Sequence, residues 1–177
     1  QHLAATLQKP ILRADLYRRL QSLSGVVEIA PSPAAVVPGD RRPMRVLTAE
    51  DNRTYQLVFQ KMIRDLDIEL VFANNGLEAV DLYQSFRPDM IFMDISMPEM
   101  DGRDAARAIR ALESGRSHVP IVALTAHAMD GDSEGILAAG IDRYMTKPLR
   151  KTALTDVLAE LCPAEARPIS VPAEDAA

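Results

Sequence analysis

A single cysteine, Cys162, is all the thiol this sequence carries. It excludes an internal disulfide and any cysteine-cluster zinc site, and it fits a reducing compartment. No window approaches 18 uninterrupted apolar residues, so no membrane-spanning helix is expected. The opening QHLAATLQKP lacks a basic stretch followed by an apolar core, so it does not read as a secretory signal. It also lacks an initiating Met, and a piece of a longer protein is the expectation. Excess positive charge is missing too. The formal net charge is -5 and the pI about 5.2, which excludes non-specific nucleic-acid binding by the whole surface. The three histidines, His2, His118 and His127, sit in no context resembling a kinase phosphohistidine, and there are no Gly-rich ATP-binding boxes. The chain is therefore not itself a kinase core. What is present is 47% hydrophobic and 25% charged over 177 residues, the balance of a globular protein.

Proline marks the boundaries. Pro10, Pro31, Pro33, Pro38 and Pro43 precede Met44, and Pro163, Pro168 and Pro172 follow Cys162. Residues 25–43 read as a linker, Pro- and Ala-rich and without period, though Val26, Val27, Ile29, Val36 and Val37 are more apolar than a free linker needs. Residues 163–177 read as a flexible tail. Between them, strand and helix signals alternate five times. Short apolar strands surround Val46-Leu47, Leu70–Ala73, Met90–Met93, Ile121–Leu124 and Tyr144-Met145. Helical stripes follow, the first of them Tyr55, Val58, Phe59, Met62, Ile63 and Leu66 at i, i+3, i+4, i+7, i+8 and i+11. The wholly apolar Met90–Met93 suits a strand buried on both faces of a parallel sheet. The pattern predicts an α/β protein: a five-stranded, doubly wound parallel sheet over residues 44–162, preceded by an extra helix and linker.

In such folds ligands sit beyond the carboxyl ends of the strands. There the sequence places Glu50 and Asp51 after the first strand, Asp94 after the third, Thr125 after the fourth and Lys147 after the fifth. Three clustered carboxylates repel one another unless a cation joins them. Hard oxygen ligands suit magnesium, which takes phosphate oxygens as well. A carboxylate can itself attack phosphorus, and phosphoryl transfer asks mainly for positioning and charge neutralisation, which a metal and a lysine supply. Each residue taken alone has a plainer reading. Asp51 or Asn52 could cap the next helix, Asp94 could cap a turn, and Lys147 could be a solvated charge. Their convergence on one rim, in this chemical complement, favours chemistry.

The segments Leu47-Thr48-Ala49-Glu50-Asp51-Asn52, Met93-Asp94-Ile95-Ser96-Met97-Pro98-Glu99-Met100-Asp101-Gly102, Ala123-Leu124-Thr125-Ala126-His127-Ala128 and Tyr144-Met145-Thr146-Lys147-Pro148 resemble the four signatures of receiver domains of two-component signalling. Their wording is most similar to receivers of hybrid sensor histidine kinases. The resemblance implies a flavodoxin-like receiver fold with strand order 2-1-3-4-5 and a cytoplasmic module whose parent is a hybrid kinase, membrane-bound or not. It implies that Asp94 accepts a phosphoryl group from a phosphohistidine, on a kinase domain or a histidine phosphotransfer protein. Magnesium would be held by Asp51 directly, by Glu50 largely through water, by Asp94 and by the backbone carbonyl of Ser96. Lys147 would pair with Asp94 and then with the phosphoryl group. Thr125 and Tyr144 would form the switch, Ser96 and His127 would tune hydrolysis, and Lys147-Pro148 would be cis. The acidic pair departs slightly, being Glu-Asp rather than Asp-Asp.

Two other readings belong beside this one. One is a receiver-like domain that never takes phosphate. The other is an aspartyl-phosphate phosphatase of the haloacid dehalogenase type, but that class wants a second acid where Ser96 stands. Residues 1–24 partly repeat the end of the receiver: Lys9-Pro10 matches Lys147-Pro148, and Leu12, Leu16, Leu20 and Leu23 give one apolar stripe. They read as the last helix of a preceding receiver-like domain, expected to pack on the receiver or on a second copy in a homodimer. Arg41, Arg42 and Arg45 form a basic cluster that reads as solvated linker charge, with anion binding as the alternative. No nucleic-acid partner and no direct membrane contact are expected.

Overall fold

The computed structural model describes residues 41–126 and 132–169. Five strands and five helices alternate: β1 Met44–Ala49, α1 Arg53–Ile63, β2 Ile68–Ala73, α2 Gly76–Phe86, β3 Met90–Asp94, α3 Gly102–Glu113, β4 Ile121–Thr125, α4 Asp132–Ala138, β5 Arg143–Thr146 and α5 Lys151–Glu160. All strand pairs are parallel, in the order β2-β1-β3-β4-β5. This is the doubly wound sheet that the alternation predicts. The extra helix expected in residues 1–24, and its docking, lie outside the described residues.

Residue alternation along the strands builds two cores, one on each sheet face. Leu47, Ile91, Met93, Ile121 and Ala123 face α2, α3 and α4, where Ala79, Ala105, Ile109 and Ile136 pack on them. Met44, Val46, Met90, Phe92, Val122 and Leu124 face α1 and α5, against Phe59, Ile63, Leu154 and Leu158. With helices on both faces, β3 and β4 are buried at every position. Three helices start at side-chain caps: Asn52 Oδ1 accepts from Thr54 N, Asn75 Oδ1 from Glu78 N and Asp101 Oδ1 from Asp104 N. Since Asn52 takes the capping role on α1, Asp51 is not consumed by it.

The helical stripes are narrower than the sequence suggests. Tyr55 and Val58 stand 43% and 40% exposed, so α1 buries only Phe59 and Ile63. At the end of α3 it is Leu112 that is exposed and Glu113 that is buried. The Glu113 carboxylate accepts from Val119 N at 2.6 Å and Arg110 Nη1 at 2.7 Å, bonds that no periodicity reveals.

Residues 163–169, expected to belong to a flexible tail, pack on the domain instead. Arg167 N donates to Arg42 O at 2.9 Å, Ala166 is 1% exposed, and Ile169 packs against the second core. The apolar surface of β1 and α5 needs this cover, and Pro163 turns the chain back over it. The basic cluster is likewise answered by acids. Arg42 grips Asp89 with two 2.6 Å bonds, and Arg45 meets Glu69 at 3.3 Å while its guanidinium lies 4.6 Å from the Phe86 ring centroid. Among the described residues no helix is long and apolar enough to cross a membrane.

Candidate functional site

The sheet register brings the expected residues to one rim. Ala49 stands opposite both Ala73 and Met93, Asp94 opposite Leu124, and Thr125 opposite Thr146. The ladder continues past the strands: Glu50 N donates to Ala73 O at 2.9 Å, Ile95 N to Leu124 O at 3.2 Å and Lys147 N to Thr125 O at 2.8 Å. The strand ends are thus fixed against one another, which sets Glu50, Asp94, Thr125 and Lys147 at the same end of the sheet.

Lys147 Nζ donates to Glu50 Oε2 at 2.6 Å and to Asp94 Oδ2 at 2.9 Å. These side chains are nearly dry, at 11% exposed for Lys147, 3% for Glu50 and 9% for Asp94. Glu50 Oε1 accepts from Asn52 N at 3.3 Å, and Asp94 Oδ1 from Ser96 N at the same distance. One carboxylate oxygen from each of Glu50, Asp51 and Asp94 lies within 4.8 Å of the others, and Asp51 is the exposed member. Thr125 is buried at 7% exposure, while Tyr144 is 44% exposed. The Lys147-Pro148 peptide is cis. His127 lies outside the described residues.

Charge explains the protonation tendencies. Burial pushes the Glu50 carboxyl above its ordinary value; Lys147 opposes that and the nearby Asp94 reinforces it. Burial alone would lower the Lys147 ammonium, but its bonds to Glu50 and Asp94 win and hold it above the ordinary lysine value. One ammonium among three carboxylates leaves a surplus of negative charge, which a divalent cation would neutralise. The donor set is all hard oxygen, which fits magnesium.

Close packing fixes the loop beneath Asp94. A Cβ at Gly102 would lie 2.1 Å from Asp94 O, and one at Gly76 would lie 2.6 Å from Met100 O. Three further groups touch the site and were not singled out by sequence. Gln56 Nε2 bridges Glu50 O at 2.6 Å and Asn74 Oδ1 at 3.1 Å. The Tyr55 ring centroid is 4.6 Å from Lys147 Nζ. Thr48, 1% exposed, lines the space behind Glu50 and Lys147. The available signal was position: Tyr55 and Gln56 lie in the first turn after the acidic pair, which faces the rim.

The family model described as the response regulator receiver domain matches residues 46–159. This chain belongs to the response regulator receiver family. The receiver is 42% identical over 123 residues to the sensor protein GacS of Pseudomonas syringae pv. syringae, covering 68% of this chain and 14% of that protein. A crystal structure of the receiver domain of sensor histidine kinase PA1611 from Pseudomonas aeruginosa PAO1, with magnesium coordinated in its active site cleft, superposes with TM-score 0.62 at 39% identity, covering 67% of this chain and 97% of that one. The receiver of Ssk1 from Saccharomyces cerevisiae, crystallised with the histidine phosphotransfer protein Ypd1, matches with TM-score 0.64 at 32% identity, covering 68% of this chain and 90% of that one. Hybrid-kinase receivers are thus among the relatives that the motif wording points to. The chain spans only 7–16% of the length of the first sensor kinases it matches.

Proposed function

We propose that this receiver accepts a phosphoryl group on Asp94 from a phosphohistidine, and passes it on or hydrolyses it. The observation that carries the reading is the nearly dry Lys147–Asp94 contact at 2.9 Å beside three carboxylate oxygens within 4.8 Å of one another. In the transfer, an Asp94 carboxylate oxygen bonds to phosphorus as the P–N bond to the donor imidazole breaks. The acyl phosphate is later cleaved by water, which returns the carboxylate and releases phosphate. Lys147 pairs with the carboxylate first and with a phosphoryl oxygen afterwards, and Thr125 donates its hydroxyl to another.

Magnesium would be held by Asp51 directly, by Asp94, by the Ser96 backbone carbonyl and by Glu50 mainly through water. Glu50 is buried and held by Lys147 at 2.6 Å while Asp51 is the exposed carboxylate of the three, which supports the indirect role of Glu50. When bound, the ion neutralises charge on the transferring group. Thr125 and Tyr144 form the switch, and the exposed Tyr144 leaves room for an inward turn that reshapes the face of α4, β5 and α5. Ser96 and His127 tune hydrolysis. The partners are a histidine kinase phosphohistidine domain or a histidine phosphotransfer protein, with a second copy of the chain as a further one. The parent is a hybrid histidine kinase and the module works in the cytoplasm.

The test is transfer. A radiolabelled phosphohistidine domain, mixed with the receiver, should lose label to the receiver in magnesium and keep it in EDTA. Label retained on the histidine domain under both conditions, with several unrelated donors, would contradict the proposal.

A further inference from the structure

We infer that Tyr55 is a positioning residue for Lys147, holding the ammonium at the rim while the charge on Asp94 is consumed. The inference rests on the phosphoacceptor reading above. Three observations carry it. First, the Tyr55 ring lies 4.6 Å from Lys147 Nζ, the distance at which an aromatic face attracts a cation. Second, Tyr55 is 43% exposed while the lysine side chain is 11% exposed, so the ring is the wetter of the two groups in contact. Third, Tyr55 lines a chamber of about 60 Å³ together with Thr48, Glu50, Phe59, Leu124 and Lys147. Thr48 Oγ1 in that chamber is buried and has no hydrogen-bond partner among the described residues. The chamber is larger than the ~10–15 Å³ one water needs, and Thr48, Glu50 and Lys147 line it as polar groups. Without the ring, the lysine, Glu50 and this chamber would open to bulk solvent together.

The chemistry gives the contact its purpose. Before transfer, Lys147 has two carboxylate partners, Glu50 and Asp94. Once Asp94 becomes an acyl phosphate its carboxylate charge is gone, and the lysine must shift to a phosphoryl oxygen. Glu50 alone would then draw the ammonium toward β1. The ring is a partner whose attraction is unchanged by the reaction, because the transfer neither adds charge to it nor removes charge from it. It keeps the ammonium between Glu50 and Asp94 and lets it slide without leaving for water. Tyr55 reaches this place from the first turn of α1, fixed by the Asn52 cap. That explains why its side chain is half exposed although its helical position matches the buried Phe59 one turn on.

The test uses the full chain and three variants, Tyr55→Phe, Tyr55→Leu and Tyr55→Leu combined with Lys147→Gln, with Lys147→Gln as reference. The rate of acetyl phosphate uptake at Asp94 is measured in saturating magnesium. Tyr55→Phe keeps the aromatic face and should stay near the parent rate. Tyr55→Leu should slow uptake about two- to fivefold, the range expected of a half-exposed cation–π contact. In the Lys147→Gln background the same change should do nothing further. A second readout is independent of phosphorylation: the Lys147 ε-methylene proton signals should be ring-shifted upfield in the parent and in Tyr55→Phe, and should return to the ordinary position in Tyr55→Leu. Equal slowing in both backgrounds, a Phe variant as slow as the Leu variant, or unshifted ε-methylene protons in the parent would overturn the inference. No uptake by the parent, with the ring shift present, would sink the phosphoacceptor reading and leave the contact standing.

Discussion

Replacing Gly102 by alanine should damage both the stability of the receiver and its chemistry. The added Cβ would sit 2.1 Å from Asp94 O, 2.9 Å from Met93 Cγ and 3.0 Å from Asp94 C. A carbon and a carbonyl oxygen in contact normally stand roughly 3.3–3.6 Å apart. The gap must therefore open by roughly 1.2–1.5 Å, and the obstacle is backbone at the end of a wholly buried strand rather than a movable side chain. Forcing a methyl group into a packed site costs about 1–3 kcal/mol. The displaced carbonyl belongs to the residue that bears the reacting carboxylate, so the carboxylate moves too. A misplacement on the order of 1 Å can cost about 100-fold in rate. Urea unfolding and a time course of acetyl phosphate uptake measure the two effects. Gly135→Ala is the matched control: it lies inside α4, and its added Cβ meets nothing within 4 Å. That change should stabilise by roughly 0.5–1 kcal/mol and leave uptake alone. If Gly102→Ala unfolds within about 0.5 kcal/mol of the parent, as ordinary surface changes do, and takes phosphate at the parent rate, the close-approach argument is wrong.

Three further outcomes are expected. Asp89→Asn should cost about 1–2 kcal/mol at neutral pH, because Asp89 is 11% exposed and takes two bonds from Arg42 and one from Arg45 N, although the 43% exposed Arg42 is partly screened. Against the opposing effect of burial, those donors hold its carboxyl below the ordinary value of 3.8. Its contribution is thus present above that pH and is lost as pH falls through the folded value, so acid unfolding curves of variant and parent should converge there. Ending the chain at Cys162 should lower stability by about 2 kcal/mol, since it uncovers the core under Ala166 and Ile169; urea midpoints unchanged by the truncation would show that the 163–169 segment does not cover it. Asp51→Ala should weaken magnesium binding in a fluorescence or calorimetric titration more than Glu50→Ala, and the reverse order would contradict the direct-versus-water assignment.

The sheet and the rim were legible because both are local statements. Most strands are short apolar runs, and for four of the five the residue at the strand end or just past it carries the chemistry. What brings Glu50 and Lys147 to 2.6 Å across 97 residues of sequence is the parallel register, which the strand–helix alternation implies. Helix faces were less legible. The period that collects Tyr55, Val58, Phe59 and Ile63 into one stripe cannot tell a residue above the sheet from one beyond its edge, and Tyr55 lies at the rim end of α1. Gly102 was visible as part of a motif, while its reason, an approach to Asp94 O, is tertiary. Nothing in the sequence marks Glu113 as buried, because its partners Val119 N and Arg110 depend on how the next loop folds back. Residues 163–169 hide their role because seven residues with two prolines show no period, and the core that Ala166 joins, with Met44, Leu154 and Leu158, exists only once the sheet and α5 have come together.

The central claim is an acyl phosphate on Asp94, and intact mass answers it most directly. The chain, incubated with acetyl phosphate and magnesium, should gain the mass of one phosphoryl group. Borohydride reduction followed by peptide mapping should place it on Asp94. Asp94→Asn should gain nothing, and EDTA should abolish the gain in the parent. A gain retained in Asp94→Asn, or mapped to another residue in the parent, would contradict the account.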